Sequence, residues 1–135
     1  MERLLVAATQ KSPLVHMDAD KGLIEIKGRS TPEDTNVIFE PIFKWVNEYL
    51  KNPRKKTTVN LHFEYFNSST TKALMRLINL LVPLSKENDY ELEFNWLYYD
   101  EDMLEYGQDF EELSGLNFNF IESDYSNINF DISTY

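Results

Sequence analysis

From Thr57 to Phe66 the chain alternates. Val59, Leu61, Phe63 and Tyr65 fall on one side and Asn60, His62, Glu64 and Phe66 on the other. This period of two predicts a strand. A second such run covers Tyr90 to Tyr99, with Leu92, Phe94, Trp96 and Tyr98 on one side. Between the two runs the period lengthens. Leu74, Leu77, Ile78, Leu81 and Leu84 recur at helical spacing and predict a buried stripe on a helix from Ser68 to about Lys86. Pro83 predicts a bend or a shortened last turn.

Upstream, Val37, Ile38, Ile42, Trp45, Val46, Tyr49 and Leu50 repeat at the same spacing. Ser30 or Thr31 ahead of Pro32 and Glu33 is a helix-start signature. Pro41 interrupts the segment and predicts a kink or a late start. Asn52 to Lys56 ends it in a basic loop. Downstream, Asp100 to Leu113 reads as an acidic helix with Met103, Leu104 and Phe110 apolar and Gly115 as its cap. Leu116 to Ile121 closes the series as a strand. Near the start, a short apolar run spans Leu4 to Ala8. After it, Leu14–Met17 and Leu23–Gly28 flank the turn residues Asp18-Ala19-Asp20-Lys21-Gly22, the pattern of a hairpin.

The order is β-β-β-α-β-α-β-α-β. It predicts an α/β fold, a single-domain mixed sheet with an N-terminal antiparallel hairpin and about three helices. The domain is expected over 1–122. Residues 123–135, polar with scattered aromatics, read as a tail that is either loose or a strand pairing elsewhere.

Composition narrows the function. The chain has 135 residues, 42% of them hydrophobic and 14% aromatic, enough for one domain with a real core. It has no cysteine, which removes disulfides, thiolate metal sites and a cysteine nucleophile. The formal charge of −10 disfavours nucleic acid and anionic membranes and suits a basic protein partner. No apolar run approaches membrane-spanning length, and Met1-Glu2-Arg3-Leu4-Leu5-Val6 lacks a signal peptide's apolar region. The expected location is therefore the cytoplasm.

The residues with most chemical content are Asn67-Ser68-Ser69-Thr70-Thr71, at the turn from strand to helix. A helix start has unpaired N–H groups and a dipole that favours negative charge. A hydroxyl there either caps the helix, worth about 1 kcal/mol, or accepts a phosphate that the helix end tolerates. Lys72, one turn beyond Ser68, adds a cation. Pro32-Glu33-Asp34 reads either as acids stabilising a first turn or as a loop-supporting or partner-contacting element.

Other clusters carry less. His16 and His62 are the only histidines, too few for a zinc site, and read as packed or surface residues. Asp18-x-Asp20-x-Gly22 lacks the remaining ligands of a calcium loop and reads as the hairpin turn. The acids Glu101, Asp102, Glu105, Asp109, Glu111 and Glu112 read as a solvated helix face or a docking face for a basic partner. No nucleophile or phosphate-binding glycine loop accompanies them. The alternatives to a phosphorylation-controlled binding module are a constitutive interaction scaffold with Ser68 as a helix cap and, more weakly, a small carboxylate-dependent enzyme; no cofactor is implied.

Asn67-Ser68-Ser69-Thr70-Thr71-Lys72-Ala73-Leu74 resembles the phosphorylation loop of STAS domains, with Asn67 in place of the acid and Thr70 in place of the glycine. The pattern is closer still to the SiaC-type regulatory phosphoproteins, through Tyr65, Asn67, Ser68, Ser69, Lys72, Ala73 and Leu74. Gly28-x-Ser30-x-Pro32-Glu33-Asp34, the Thr9-Gln10-x-Ser12-Pro13 start and the Phe43-x-Trp45-Val46 helix also resemble that family. The resemblance implies a STAS-like fold and a non-enzymatic switch with Ser68 as the phosphorylated residue. Tyr65, Asn67, Ser69, Lys72, Ser30, Pro32, Glu33 and Asp34 would contact a partner or support the loop. It further implies a Ser/Thr protein kinase, a PP2C-type phosphatase, and a diguanylate cyclase bound and activated by the unphosphorylated form.

Overall fold

The computed structural model describes residues 1–135. In chain order the elements are β1 (Leu4–Val6), β2 (Leu14–Asp18), β3 (Leu23–Ser30), α1 (Thr35–Tyr49), β4 (Lys56–Phe66), α2 (Ser68–Lys86), β5 (Glu91–Tyr98), α3 (Glu101–Ser114) and β6 (Phe118–Glu122). The six strands form one sheet in sequence order. β1, β2 and β3 pair antiparallel, and β3 to β6 pair parallel. This is the mixed sheet with an antiparallel hairpin that the hydrophobic pattern predicts.

Each parallel crossover advances by one strand. Right-handed crossovers then put all three helices on the same face of the sheet. Met17, Ile24, Ile26, Val59, Leu61, Phe63, Phe94 and Trp96 point to that face and are almost fully buried against α1, α2 and α3. α3 approaches very closely. A Cβ on Gly107 would lie 2.5 Å from Trp96, whose indole N–H donates to the Met103 carbonyl at 2.8 Å. No helix is long and apolar enough to cross a membrane.

Three expectations need correction, and a fourth is narrowed. The strict alternation over β4 fails at its end. Gly28 pairs with Phe63 but Arg29 pairs with Tyr65, so Glu64 is an extra residue in the strand. Such a bulge reverses the phase of the residues beyond it. Phe66 therefore joins the core at 4% exposure, while Tyr65, expected on the Phe63 side, is left 47% exposed. α1 begins at Thr35 with Asp34 as its cap, rather than at Pro32. Ser30 is the last residue of β3, its hydroxyl bonded to that of Thr70, and the Thr31 amide donates to the Lys11 carbonyl at 2.8 Å.

Of the alternatives the two prolines offered, the late start at Pro41 and the shortened end at Pro83 do not occur. α1 runs through Pro41 and α2 through Pro83 to Lys86. Pro41 leaves the carbonyl of Val37 without its helical donor, and Val37 is 68% exposed, so water can take that role. Lastly, residues 123–135 do not add a strand. They fold back over the helix-free face, with one-turn 3-10 helices at Tyr125–Asn127 and Ile132–Thr134.

That face is largely polar and partly covered. Leu14 and His16 alternate with Val15 and Met17, and both are buried. Asn60, Asn95 and Asn119 form a side-chain ladder across β4, β5 and β6, with bonds of 2.9 and 3.1 Å. Burial pushes the Glu25 carboxyl up, but bonds from His16 and Asn60 and the nearby Lys27 outweigh this and hold it below its ordinary value. Burial, then Lys27, lowers His62.

Candidate functional site

The bulge in β4 delivers the chain to the start of α2 in a fixed phase. Phe66 anchors inward against Phe63, Trp96 and Phe110. The next residue, Asn67, has extended backbone and caps the helix. Its side-chain oxygen accepts from the Thr70 amide at 3.0 Å and from the Ser69 hydroxyl at 3.0 Å. Its amide group donates to the Pro32 carbonyl at 3.3 Å, and its backbone N–H donates to the Ser30 carbonyl at 3.0 Å. The loop is thus fastened to the segment after β3 from two directions.

The four hydroxyls of the turn have different fates. Thr70 is fully buried, and its hydroxyl bonds the Ser30 hydroxyl at 2.8 Å and the Ser30 carbonyl at 3.1 Å. Ser69 is held between Asn67 and the Thr35 hydroxyl, the latter at 2.5 Å. Thr71 donates back to the Asn67 carbonyl at 3.3 Å. Ser68 is exposed at the first helical position, and its hydroxyl has no partner in the protein. Capping is done by Asn67, so the cap reading of Ser68 does not hold.

The surroundings of Ser68 are suited to negative charge. The first turn of α2 contains no acid, and the amides of Ser68 and Ser69 lie in the part of a helix that lacks intrahelical acceptors. Beside the turn, α1 and α2 enclose an open groove of about 400 Å³, lined by Glu33, Asp34, Thr35, Ser69, Lys72 and Arg76 among others. Lys72 is exposed and forms no ion pair. Arg76 is engaged by Glu40 at 3.2 Å and lies over the Phe43 ring at 4.1 Å. A phosphate on Ser68 would meet one unengaged cation and the positive end of α2.

The eight residues singled out from the sequence alongside Ser68 divide into three groups. Ser30, Pro32, Asn67 and Ser69 are joined by hydrogen bonds around the turn. Glu33, Asp34 and Lys72 line the groove, Asp34 also capping α1 through the Asn36 amide at 3.1 Å. Glu33 is nearly fully exposed, 4.0 Å from Lys11. Tyr65 stands apart, because the bulge turns it to the other side, with the Arg29 guanidinium 5.7 Å over its ring. Sequence reasoning missed Thr35 and the anchoring role of Thr70. A hydroxyl immediately after the Asp34 cap signalled the first, but nothing local places it next to Ser69. The Thr9–Ser12 turn acts at one remove, since the Lys11 carbonyl holds the Thr31 amide.

The model of the SiaC family of regulatory phosphoproteins matches residues 6–123. The chain belongs to that family. Two solved structures of SiaC from Pseudomonas aeruginosa share the fold. The apo form has a TM-score of 0.80 at 25% identity over 92% of this chain and all of that one. The second has a TM-score of 0.79 at 26% identity over 91% of this chain and all of that one. A third structure, SiaC in complex with the diguanylate cyclase SiaD that it activates, has a TM-score of 0.82 at 24% identity over 89% of this chain and 99% of that one, and speaks for the fold alone. An uncharacterized protein of Pseudomonas aeruginosa strain UCBPP-PA14 is 26% identical over 114 residues, 83% of this chain and 90% of that protein.

Proposed function

We propose that this SiaC-family chain is a phosphorylation-controlled binding module whose unphosphorylated form binds and activates a diguanylate cyclase. Ser68 is the phosphoacceptor. A Ser/Thr protein kinase charges it and a PP2C-type phosphatase discharges it. The observation that carries this reading is the separate fate of the four hydroxyls: Ser69, Thr70 and Thr71 are hydrogen-bonded to the fold, and Ser68 is exposed and unengaged. The cyclase assignment is supported by family membership and by a similar fold, SiaC, being known in complex with the cyclase SiaD.

Phosphorylation would act by charge and bulk rather than by refolding. It adds close to two negative charges at an exposed position whose hydroxyl makes no bonds. A partner surface fitted to the neutral turn and to the Lys72 groove would then face an unmatched anion, and juxtaposed like charges cost several kcal/mol. The residues around Ser68 bind and present. Membership of a family of regulatory phosphoproteins supports a switch rather than a catalyst.

Two measurements test this. Phosphosite mass spectrometry on protein from its own cells, grown under varied conditions, should find phosphate on Ser68 in varying amount. Binding to the cyclase encoded in the same cells should persist in Ser68→Ala whatever the kinase activity, and weaken on the order of tenfold or more in Ser68→Asp. Absence of phosphate across Ser68 to Thr71 in every condition, or equal binding by the two variants, refutes the proposal.

A further inference from the structure

Residues 124–135 lie beyond the span that the family model matches, which ends at residue 123. They cross the helix-free face of the sheet, and their backbone hydrogen bonds run within the segment. Asp124 binds the Ser126 amide and Asp131 the Ser133 amide, while Asn129 binds the Thr134 hydroxyl. Contact with the sheet is made chiefly by three aromatic rings. Tyr135 lies 5.1 Å from the His16 ring, with the Lys27 ammonium 5.7 Å from its centroid. Tyr125 lies 6.0 Å from His62 and 6.1 Å from Tyr99, and Phe130 packs on Tyr125 at 6.0 Å.

Two of these rings sit on the bulge. Gly28 has φ 126, a conformation that favours glycine. A Cβ there would point at the Phe130 ring, 3.3 Å away, and at the Tyr125 hydroxyl, 3.7 Å away. The register shift comes directly after Gly28, where Glu64 is the extra residue of β4. Burial and the adjacent Glu64 carboxylate push the Tyr125 phenol up to about 12. Tyr99, the residue after β5, holds the same residue, its hydroxyl donating to the Glu64 carbonyl at 3.2 Å. This bulge puts Phe66 in the core and Asn67 at the cap, and Ser68 comes only four positions after Glu64.

We propose that residues 124–135 form a strap that clamps the Gly28–Glu64 bulge from behind and thereby sets how the Asn67–Thr71 turn is presented on the front. With the strap down, Tyr125 and Phe130 fill the space over Gly28 and hold the extra residue in place. With the strap lifted, the bulge loses those two rings, and the turn loses its fixed lead-in through Phe66. The two positions of the strap are a two-state element read at the C-terminal end of β4, where the strand leads into the turn. The consequence for signalling rests on the Ser68 reading; the coupling itself does not.

The test is hydrogen–deuterium exchange, read by mass spectrometry, on the full chain and on a Tyr125→Ala/Phe130→Ala double variant. Strap amides and the amides of residues 65–72 should both exchange faster in the variant, by roughly threefold or more, while the C-terminal halves of α1 and α2, which touch neither the strap nor the bulge, stay unchanged. By linkage, Ser68→Glu should alter strap exchange in turn. A strap that exchanges freely in the unmodified chain overturns the proposal. So does a freed strap with an unaltered or slower turn, or an acceleration spread over the whole domain. These outcomes are separable from failure of the switch. Missing phosphate on Ser68 leaves the exchange coupling standing, and an uncoupled turn leaves the phosphosite standing.

Discussion

At the start of α3 the Asp100 side chain accepts the Met103 amide at 2.9 Å, and Glu101 and Asp102 fill the first turn. At the start of α2 the Asn67 side chain accepts the Thr70 amide at 3.0 Å, and the first turn has no acid. Both helices come after a parallel strand and both are capped by an Asx side chain at the same position. The difference is charge. α3 already has the anions that its dipole favours, whereas α2 has Ser68 and Ser69 in the equivalent places and Lys72 a turn later. The end of α3 is electrostatically complete from the sequence alone. The end of α2 lacks such anions, and on the proposed reading a charge added at Ser68 would alter the surface a partner meets.

The comparison predicts that α3 has a packing role and α2 a presenting one, and substitutions can separate the two. The largest effect belongs to α3. Gly107→Ala places a methyl 2.5 Å from Trp96, which cannot withdraw while its N–H is held by the Met103 carbonyl. Overpacking of this kind costs about 1–3 kcal/mol. Urea unfolding should register it as a lower midpoint with the slope unchanged, and a loss below about 0.5 kcal/mol would show α3 free to shift.

The caps come next. Asn67→Ala removes the acceptor for Thr70 and Ser69 and the donor to Pro32. Asp100→Ala removes the acceptor for Met103. Loss of a cap costs about 0.5–2 kcal/mol, and Asn67 should fall in the upper half of that range because it also ties the turn to the β3–α1 segment. Equal losses in parallel unfolding experiments would mean that those extra bonds contribute nothing, and the α2 start would then be an ordinary helix cap.

The same contrast shows how far the sequence could be read. Each helix and strand of the αβ part is visible as a period, because each buries one face. Gly115 as the end of α3 and Ser68 to Lys86 as α2 are legible from local chemistry. The Asn67 turn and the Ser30–Pro32 segment are legible only through resemblance, since the hydrogen bonds joining them span some 35 to 40 positions. The bulge at Glu64 was invisible. A two-residue period carries no mark of where one extra residue enters, and the signal lay in Gly28 on the neighbouring strand. The strap was unreadable for a related reason. Tyr125, Phe130 and Tyr135 are spaced for neither helix nor strand, and they find their places only because Gly28, His62 and His16 line a face already built by other strands.

The smallest expected effect on stability is also the one that bears most directly on function. Ser68→Ala removes a hydroxyl with no partner from an exposed position and should leave the unfolding free energy within about 0.5 kcal/mol. Ser68→Asp puts a charge where α3 already has Glu101 and should stabilise by about 0.3–1 kcal/mol at low salt, fading as salt is added. Glu101→Gln should lose a similar amount, by the same physics in reverse. If Ser68→Asp is destabilising instead, the groove acids Glu33 and Asp34 outweigh the dipole and Lys72, and the α2 end does not welcome charge. If it stabilises the fold while weakening the cyclase complex, stability and binding move in opposite directions at one side chain. A cap cannot do that, because its loss or gain acts on the fold first. A switch must, because the added charge suits the helix that carries it and misfits the surface that reads it.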